Sequence, residues 1–453
     1  MARPPRHRAG LAESAPRGEH AGLMDTPVDP AVPRERIWLA ATALIVLAAV
    51  ATRLHNAFAY PALRDFDGPG HALNVFALYE GRLPDPQTWS GFHPPLYYAI
   101  GAVIWHVLPG SVPVHAALRL LSLAAGLGIG AIVWRVLRPA AARSDAAAVV
   151  ALVLCAPVMA LATSMFGNET LCALLVTAAL ARSMELPLDS AAAIRRGAGS
   201  VALAALAALT KSTGLIAVGV VGLAVLWHVR SAGSRTITRA MLVLGATAGI
   251  LLAPHYGRLV AEGRPVLSVL SGGVAGAAAS QMALQPPGER HLADYASFPI
   301  STLVAPFKDA PGMVRSVPGL LYATTWADGQ GDFLPVQSQR VIGAASIAAL
   351  LGLLPSLLAL RGLVAILRSP VQRRRAASPL CFAALLCAAF LVQTWVVPRF
   401  SAVKASYLLS AALPVALALE AGLTHARRRA PLRVGLLATS AWATFLTWYG
   451  WWS

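Results

Sequence analysis

Apolar residues run through this chain in long blocks, and polar residues are confined to the breaks between them. Blocks of about 15 to 25 predominantly apolar residues have the length of membrane-crossing helices. They fall near 37–54, 116–137, 146–163, 168–184, 195–209, 213–229, 236–254, 339–360, 379–397, 403–422 and 433–449. The pattern predicts an all-α polytopic membrane protein of about 11 spans. One further apolar run, Pro94 to Leu108, is short and bracketed by His-Pro-Pro and Pro-Gly. Whether it crosses sets the side of every later connector.

Arginine decides that question. Arg3, Arg6, Arg8, Arg17, Arg34 and Arg36 precede the first block and place the N-terminus in the cytoplasm. If 94–108 stays in the interface, the clusters at Arg135/Arg138/Arg143, Arg195/Arg196, Arg230/Arg235/Arg239, Arg373–Arg375 and Arg427–Arg429 share that side. If it crosses, they all land outside. The run is therefore expected to be an interfacial half-helix. The C-terminus is then outside, with Trp448, Tyr449, Trp451 and Trp452 at the interface. The chain divides into a disordered cytoplasmic tail (1–36), a transmembrane module (37–254) with a large first outer loop (55–115), a second outer loop (255–338) and C-terminal helices (339–453). The first block lacks a small-residue cleavage site and reads as a retained span.

Composition agrees: 57% of the 453 residues are hydrophobic and only 13% charged, against about 25% charged in an ordinary soluble domain. The net charge of +17 comes from arginines in short connectors, which is topology-setting charge and not a nucleic-acid groove. Cys155, Cys172, Cys381 and Cys387 all lie in apolar blocks and read as packing residues. Lys211, Lys308 and Lys404 are the only lysines, and this topology puts all three on the outer face.

Candidate chemistry gathers from Arg64 to Tyr98, which holds Asp65, Asp67, His71, Glu80 and His93 beside membrane spans. Ionisable groups are costly there and mark a functional site by default. Asp65 and Asp67 share a face in extended chain, and Gly68-Pro69-Gly70 makes a turn. Such a pair can hold a divalent metal (Mg or Mn) against a diphosphate, or one member can act as general base. His71 and His93 can join as ligands or as hydrogen-bond donors. Asn168-Glu169 is at a tight outward tip, where a helix N-cap with an acid in its first turn is the ordinary alternative. Lys211 and Lys404 each interrupt an apolar run at headgroup depth, suited to a lipid phosphate or simply snorkelling.

Asp67-Gly68-Pro69-Gly70-His71, Glu80-Gly81-Arg82-Leu83-Pro84 and His93-Pro94-Pro95-Leu96-Tyr97-Tyr98 together resemble the first outer loop of the GT-C glycosyltransferases, in the protein mannosyltransferase and aminoarabinose transferase branch (family 39-type). Asn168-Glu169, Leu209–Thr213, Tyr322–Asp328 and Lys404–Tyr407 extend the likeness. Relatives usually carry Asp-Glu where this chain has Asp67-Gly68, which leaves Asp65 as a rival base and weakens a metal role. The resemblance implies a GT-C-like bundle with juxtamembrane helices in its first outer loop, and a transferase moving a hexosyl or pentosyl group from a polyprenyl-phosphate donor. The acceptor would be a hydroxyl of a glycan, lipid or protein on the extracytoplasmic face of a bacterial-type inner membrane, with inversion. Asp67, or Asp65, would be the catalytic base. His71, His93, Tyr97, Asn168, Glu169, Trp326 and Asp328 would contact substrate, and Lys211, Lys404, Arg119 and Arg53 the lipid phosphate. No metal ligand set or required cofactor is assigned, and nucleic acid is not expected as a partner. Two rivals share the composition: a non-catalytic scaffold of the same fold, and a secondary transporter, which should instead show broken helices near the midplane.

Overall fold

The computed structural model describes residues 31–61, 67–85, 90–264, 266, 285–334 and 338–452. Most of the expected disordered tail lies outside them, but 31–36 already belongs to the first helix, α1 (Ala31–Ala59). Two short helices follow, α2 (Gly68–Tyr79) and α3 (Leu96–Val107). The bundle continues with α4 (Val114–Leu137), α5 (Arg143–Cys155), α6 (Pro157–Ser164), α7 (Asn168–Ser183), α8 (Ser190–Thr210), α9 (Gly214–Val229) and α10 (Ser234–Leu252). Within the second loop lies α11 (Val317–Trp326), and after it come α12 (Gln339–Arg368), α13 (Ala377–Val396), α14 (Ala412–Thr424) and α15 (Arg429–Trp452).

Each expected apolar block is helical. Backbone polar groups in hydrocarbon must pair within their own segment, and a helix does this. By length and apolarity, 8 helices among the described residues can cross a membrane, or 9 if α5 and α6 form one span bent by 55°. The expected eleven is thus not reached by that criterion: α7 has 16 residues, and α15 is not among the qualifying spans. Pro157 explains the α5/α6 break, since it lacks the N–H that a continuous helix needs. The 12 residues of α3 rise about 18 Å, too short for a core of about 30 Å.

Packing fixes where the polar breaks meet. α12 and α14 cross with backbones in contact: a Cβ on Gly362 would lie 1.7 Å from the Ala418 carbonyl oxygen. Small residues permit such close crossings between apolar helices. That crossing anchors α14, whose 3₁₀ lead-in Ala405–Ala411 follows Lys404. The described part of the second loop docks on the segment 398–403 just before that lead-in. Phe400 N–H donates to the Pro286 carbonyl (2.8 Å) and Gln330 Nε2 donates to that of Val403 (3.2 Å). At the other end, Arg375 donates to the Val136 carbonyl (2.8 Å) and Arg433 pairs with buried Asp145 (3.1 Å). The arginine-rich connectors therefore gather at one end of the bundle and the lysines at the other.

Candidate active site

Asp67 caps α2 from the left-handed region, at φ 56°, and is the only non-glycine residue with positive φ among those described. Aspartate tolerates that region better than most side chains, but it is still an uncommon conformation. Its side chain makes no capping bond to the helix. The carboxylate instead faces Lys404, with Oδ1 4.0 Å from Nζ. Pro69, in the first turn of α2, suits a helix start because its missing N–H would have no partner there anyway.

The first two turns of α2, just after Asp67, are stitched to Ser90 in the approach to α3. Asn74 Nδ2 donates to the Ser90 carbonyl (2.9 Å), and Ser90 Oγ donates to that of Gly70 (3.1 Å). His71 is buried, its Nδ1 2.8 Å from the Tyr98 hydroxyl. The His93 ring lies 5.6 Å from that of His71. Burial holds both imidazoles below the usual histidine range, His93 down to about 3. Both are neutral hydrogen-bonding groups at physiological pH.

Gly167 leads into α7 and leaves room for two polar neighbours. A Cβ there would be 2.9 Å from Glu169 Oε2 and 3.7 Å from His71 Nε2. The other Glu169 oxygen accepts from Lys211 Nζ at 2.9 Å, and that ammonium lies 4.4 Å from the centre of the Tyr407 ring. Burial works against the charge on Lys211, but the Glu169 carboxylate outweighs it and holds the ammonium above the ordinary lysine range. An ion pair this sheltered is stable only because each partner compensates the other's lost hydration.

The second loop brings the last lysine. Lys308 Nζ is 4.0 Å from Asp332 Oδ1, and Asp332 is near enough to Lys404 and Asp67 to feel both charges. Asp328 sets this loop: its Oδ2 accepts from the N–H groups of Phe333 (2.6 Å) and Leu334 (2.9 Å). It is 2% exposed, and burial pushes its carboxyl up to about 6 despite those two donors. Asp328 and Lys404 also line one small cavity of about 20 Å³. All three lysines of the chain thus converge, each beside a carboxylate.

Other expected residues sit elsewhere. Asp65 lies outside the described residues. Tyr97 is fully buried and edge-on to His71 at 6.2 Å, so it backs the histidine. Asn168 Nδ2 donates to the Thr210 carbonyl (3.2 Å), tying α7 to the end of α8. Trp326 packs on Gly352 and donates to Ser356 Oγ (3.2 Å), turned toward α12. Arg119 is wholly buried and donates to the carbonyls of Tyr60 (2.7 Å) and Pro61 (2.8 Å). Arg53 is buried too, donating to the Leu154 carbonyl at the end of α5, near the Pro157 break. A carbonyl staple and a phosphate ligand look alike in sequence, since each is an arginine in an apolar block. The described residues hold no group of three or more His, Cys, Asp or Glu placed to bind a metal ion.

Four contributors are not among the site residues that the sequence singles out. Tyr98 and Tyr407 stood inside quoted motifs, and Lys308 was visible only as one of three lysines on the outer face. Asp332 carried no local signal at all.

The fold is that of the GT-C membrane glycosyltransferases, and the apolar helices make the chain an integral membrane protein. Among solved structures, ArnT from Cupriavidus metallidurans, bound to undecaprenyl phosphate, is similar over 90% of this chain and 75% of its own, with TM-score 0.51 and 12% identity. The apo oligosaccharyltransferase of Archaeoglobus fulgidus is similar over 91% of this chain, with TM-score 0.52 and 13% identity. This chain covers 56% of that protein, and 34% of the S. cerevisiae protein O-mannosyltransferase Pmt1-Pmt2 chain, which it matches at TM-score 0.40 and 18% identity over 51% of its length. No family model and no curated protein sequence matches the chain.

Proposed function

We propose that this protein is an inverting glycosyltransferase, moving a sugar from a polyprenyl-phosphate donor to an acceptor hydroxyl at the lysine-bearing end of the bundle. The observation that carries the reading is the pairing of Asp67 with Lys404 inside a cluster that also holds Lys211 and Lys308. Asp67 takes the proton of the acceptor hydroxyl as its oxygen bonds to the anomeric carbon. The bond from that carbon to the phosphate oxygen breaks on the opposite face, and the sugar inverts. The lipid phosphate leaves with one more negative charge, which Lys404 and Lys211 are placed to stabilise. His71, His93 and Glu169 orient the sugar and acceptor, and Arg119 fixes the backbone leading to Asp67. The likeness in fold to a structure that holds undecaprenyl phosphate supports a polyprenyl phosphate as the donor carrier.

The test is transfer from radiolabelled polyprenyl-phosphate sugars by the purified protein in lipid, with Asp67→Asn beside the wild type. Donor consumption that falls with Asp67→Asn, while undecaprenyl phosphate still binds, supports the assignment. Undiminished turnover removes Asp67 as the base. A wild-type protein that binds undecaprenyl phosphate but consumes no labelled donor favours a scaffold.

A further inference from the structure

At the end of the bundle away from the lysines, the C-terminal ends of α4 and α7 and the stretch of α8 from Arg196 to Leu203 enclose a cleft of about 210 Å³. Arg135, Arg182 and Arg196 line it with a single carboxylate, Glu185, and its walls include Ile132 and Leu203. Arg135 and Arg196 both reach the same Glu185 oxygen, Arg135 at 3.4 Å. Arg182 and Arg196 lock each other in place: the Nε of each donates to the other's backbone carbonyl, at 3.4 and 3.3 Å. Gly199 makes the seat for Arg182, since a Cβ there would stand 3.1 Å from its Nη2.

We infer that this cleft binds the phosphate headgroup of an anionic phospholipid. Three guanidiniums share one carboxylate, so two positive charges are uncompensated among the residues that line it. The side chains of Arg182 and Arg196 are held by backbone contacts, which lowers the cost of ordering them around a ligand. Guanidinium matches phosphate oxygens in geometry, and the apolar walls suit the glycerol and first acyl carbons. Basic pockets between membrane helices are suited to such headgroups. Glu185 is the occupant that a lipid phosphate must displace, and this gives the site a two-sided signature.

The full chain in nanodiscs, analysed by native mass spectrometry, provides the test. Phosphatidylglycerol should be retained over phosphatidylethanolamine on the order of tenfold, as two surface cations allow. Arg182→Gln with Arg196→Gln should abolish the preference, and Glu185→Gln should strengthen it. Inorganic phosphate in millimolar excess should not displace the lipid. Displacement would reassign the cleft to a soluble anion. Equal retention of both lipids, or a preference that ignores all three substitutions, would overturn the proposal.

Discussion

The carboxylate of Asp67 stands 4.0 Å from the ammonium of Lys404, although one opens the first short helix and the other precedes α14 near the end of the chain. Neither side chain is free to drift. Asp67 is set by a left-handed cap and Lys404 by the preceding segment 398–403, on which the second loop docks. A pair built this way should act as a unit. Asp67→Asn should lower turnover about 10²–10⁴-fold, the range for a general base, and Lys404→Met about 10²–10³-fold. The double variant should be no slower than the worse single one, because removing either member already disables the pair. Additive losses in transfer kinetics would mean the two act separately.

How far the chain could be read depends on what each feature leaves in local sequence. Every apolar block became a helix, because the pattern and the need for internal hydrogen bonds coincide. Asp67, His71, Glu169, Lys211 and Lys404 were legible for the same reason, as polar groups at breaks in apolar runs. The Lys308–Asp332 contact was not. It depends on a fold of the second loop held by Asp328 and by docking on residues 398–403, and no periodicity encodes that. Arg53 and Arg119 were visible as charges in apolar blocks, but whether such a charge meets a ligand or a carbonyl depends on a neighbour distant in sequence.

Arg119 should matter to catalysis without touching substrate. It spans two carbonyls beyond the end of α1, and its guanidinium lies 5.3 Å from the Tyr60 ring centre. Arg119→Ala leaves buried carbonyls unpaired and should cost roughly 3 kcal/mol or more in thermal unfolding. Arg119→Lys should recover little, because an ammonium cannot span both carbonyls as a planar fork does. Turnover should fall more than undecaprenyl phosphate affinity. An affinity loss as large as the turnover loss would place Arg119 on the phosphate instead.

The Lys211–Glu169 pair invites a stability cycle. The two side chains are 13% and 19% exposed, so removing one strands the other in poor solvent. Glu169→Gln or Lys211→Met alone should cost about 3–5 kcal/mol, and the double variant clearly less than the sum. Melting temperatures in detergent give the comparison. Weak, additive losses would show the pair to be effectively solvated. Binding of undecaprenyl phosphate should weaken most in Lys211→Met, where the cation itself is lost.

Asp328 predicts a pH signature in stability. Its folded carboxyl titrates at about 6, above the ordinary value of 3.8, because burial disfavours the charge more than the Phe333 and Leu334 N–H groups restore it. A group raised on folding contributes stability below its unfolded value, and that contribution is lost as pH rises through the folded value. Relative to Asp328→Asn, the wild type should therefore be favoured near pH 4 and lose about 2–3 kcal/mol of that advantage by pH 7. Asparagine keeps an acceptor oxygen for the same two N–H groups, so the variant should still fold and isolate the charge term. The check is a series of melts of both proteins from pH 4 to 7 in one detergent and salt. A difference in melting temperature that stays flat, or that moves toward the wild type with rising pH, would show that those N–H groups outweigh burial, with the loop held by a charged aspartate.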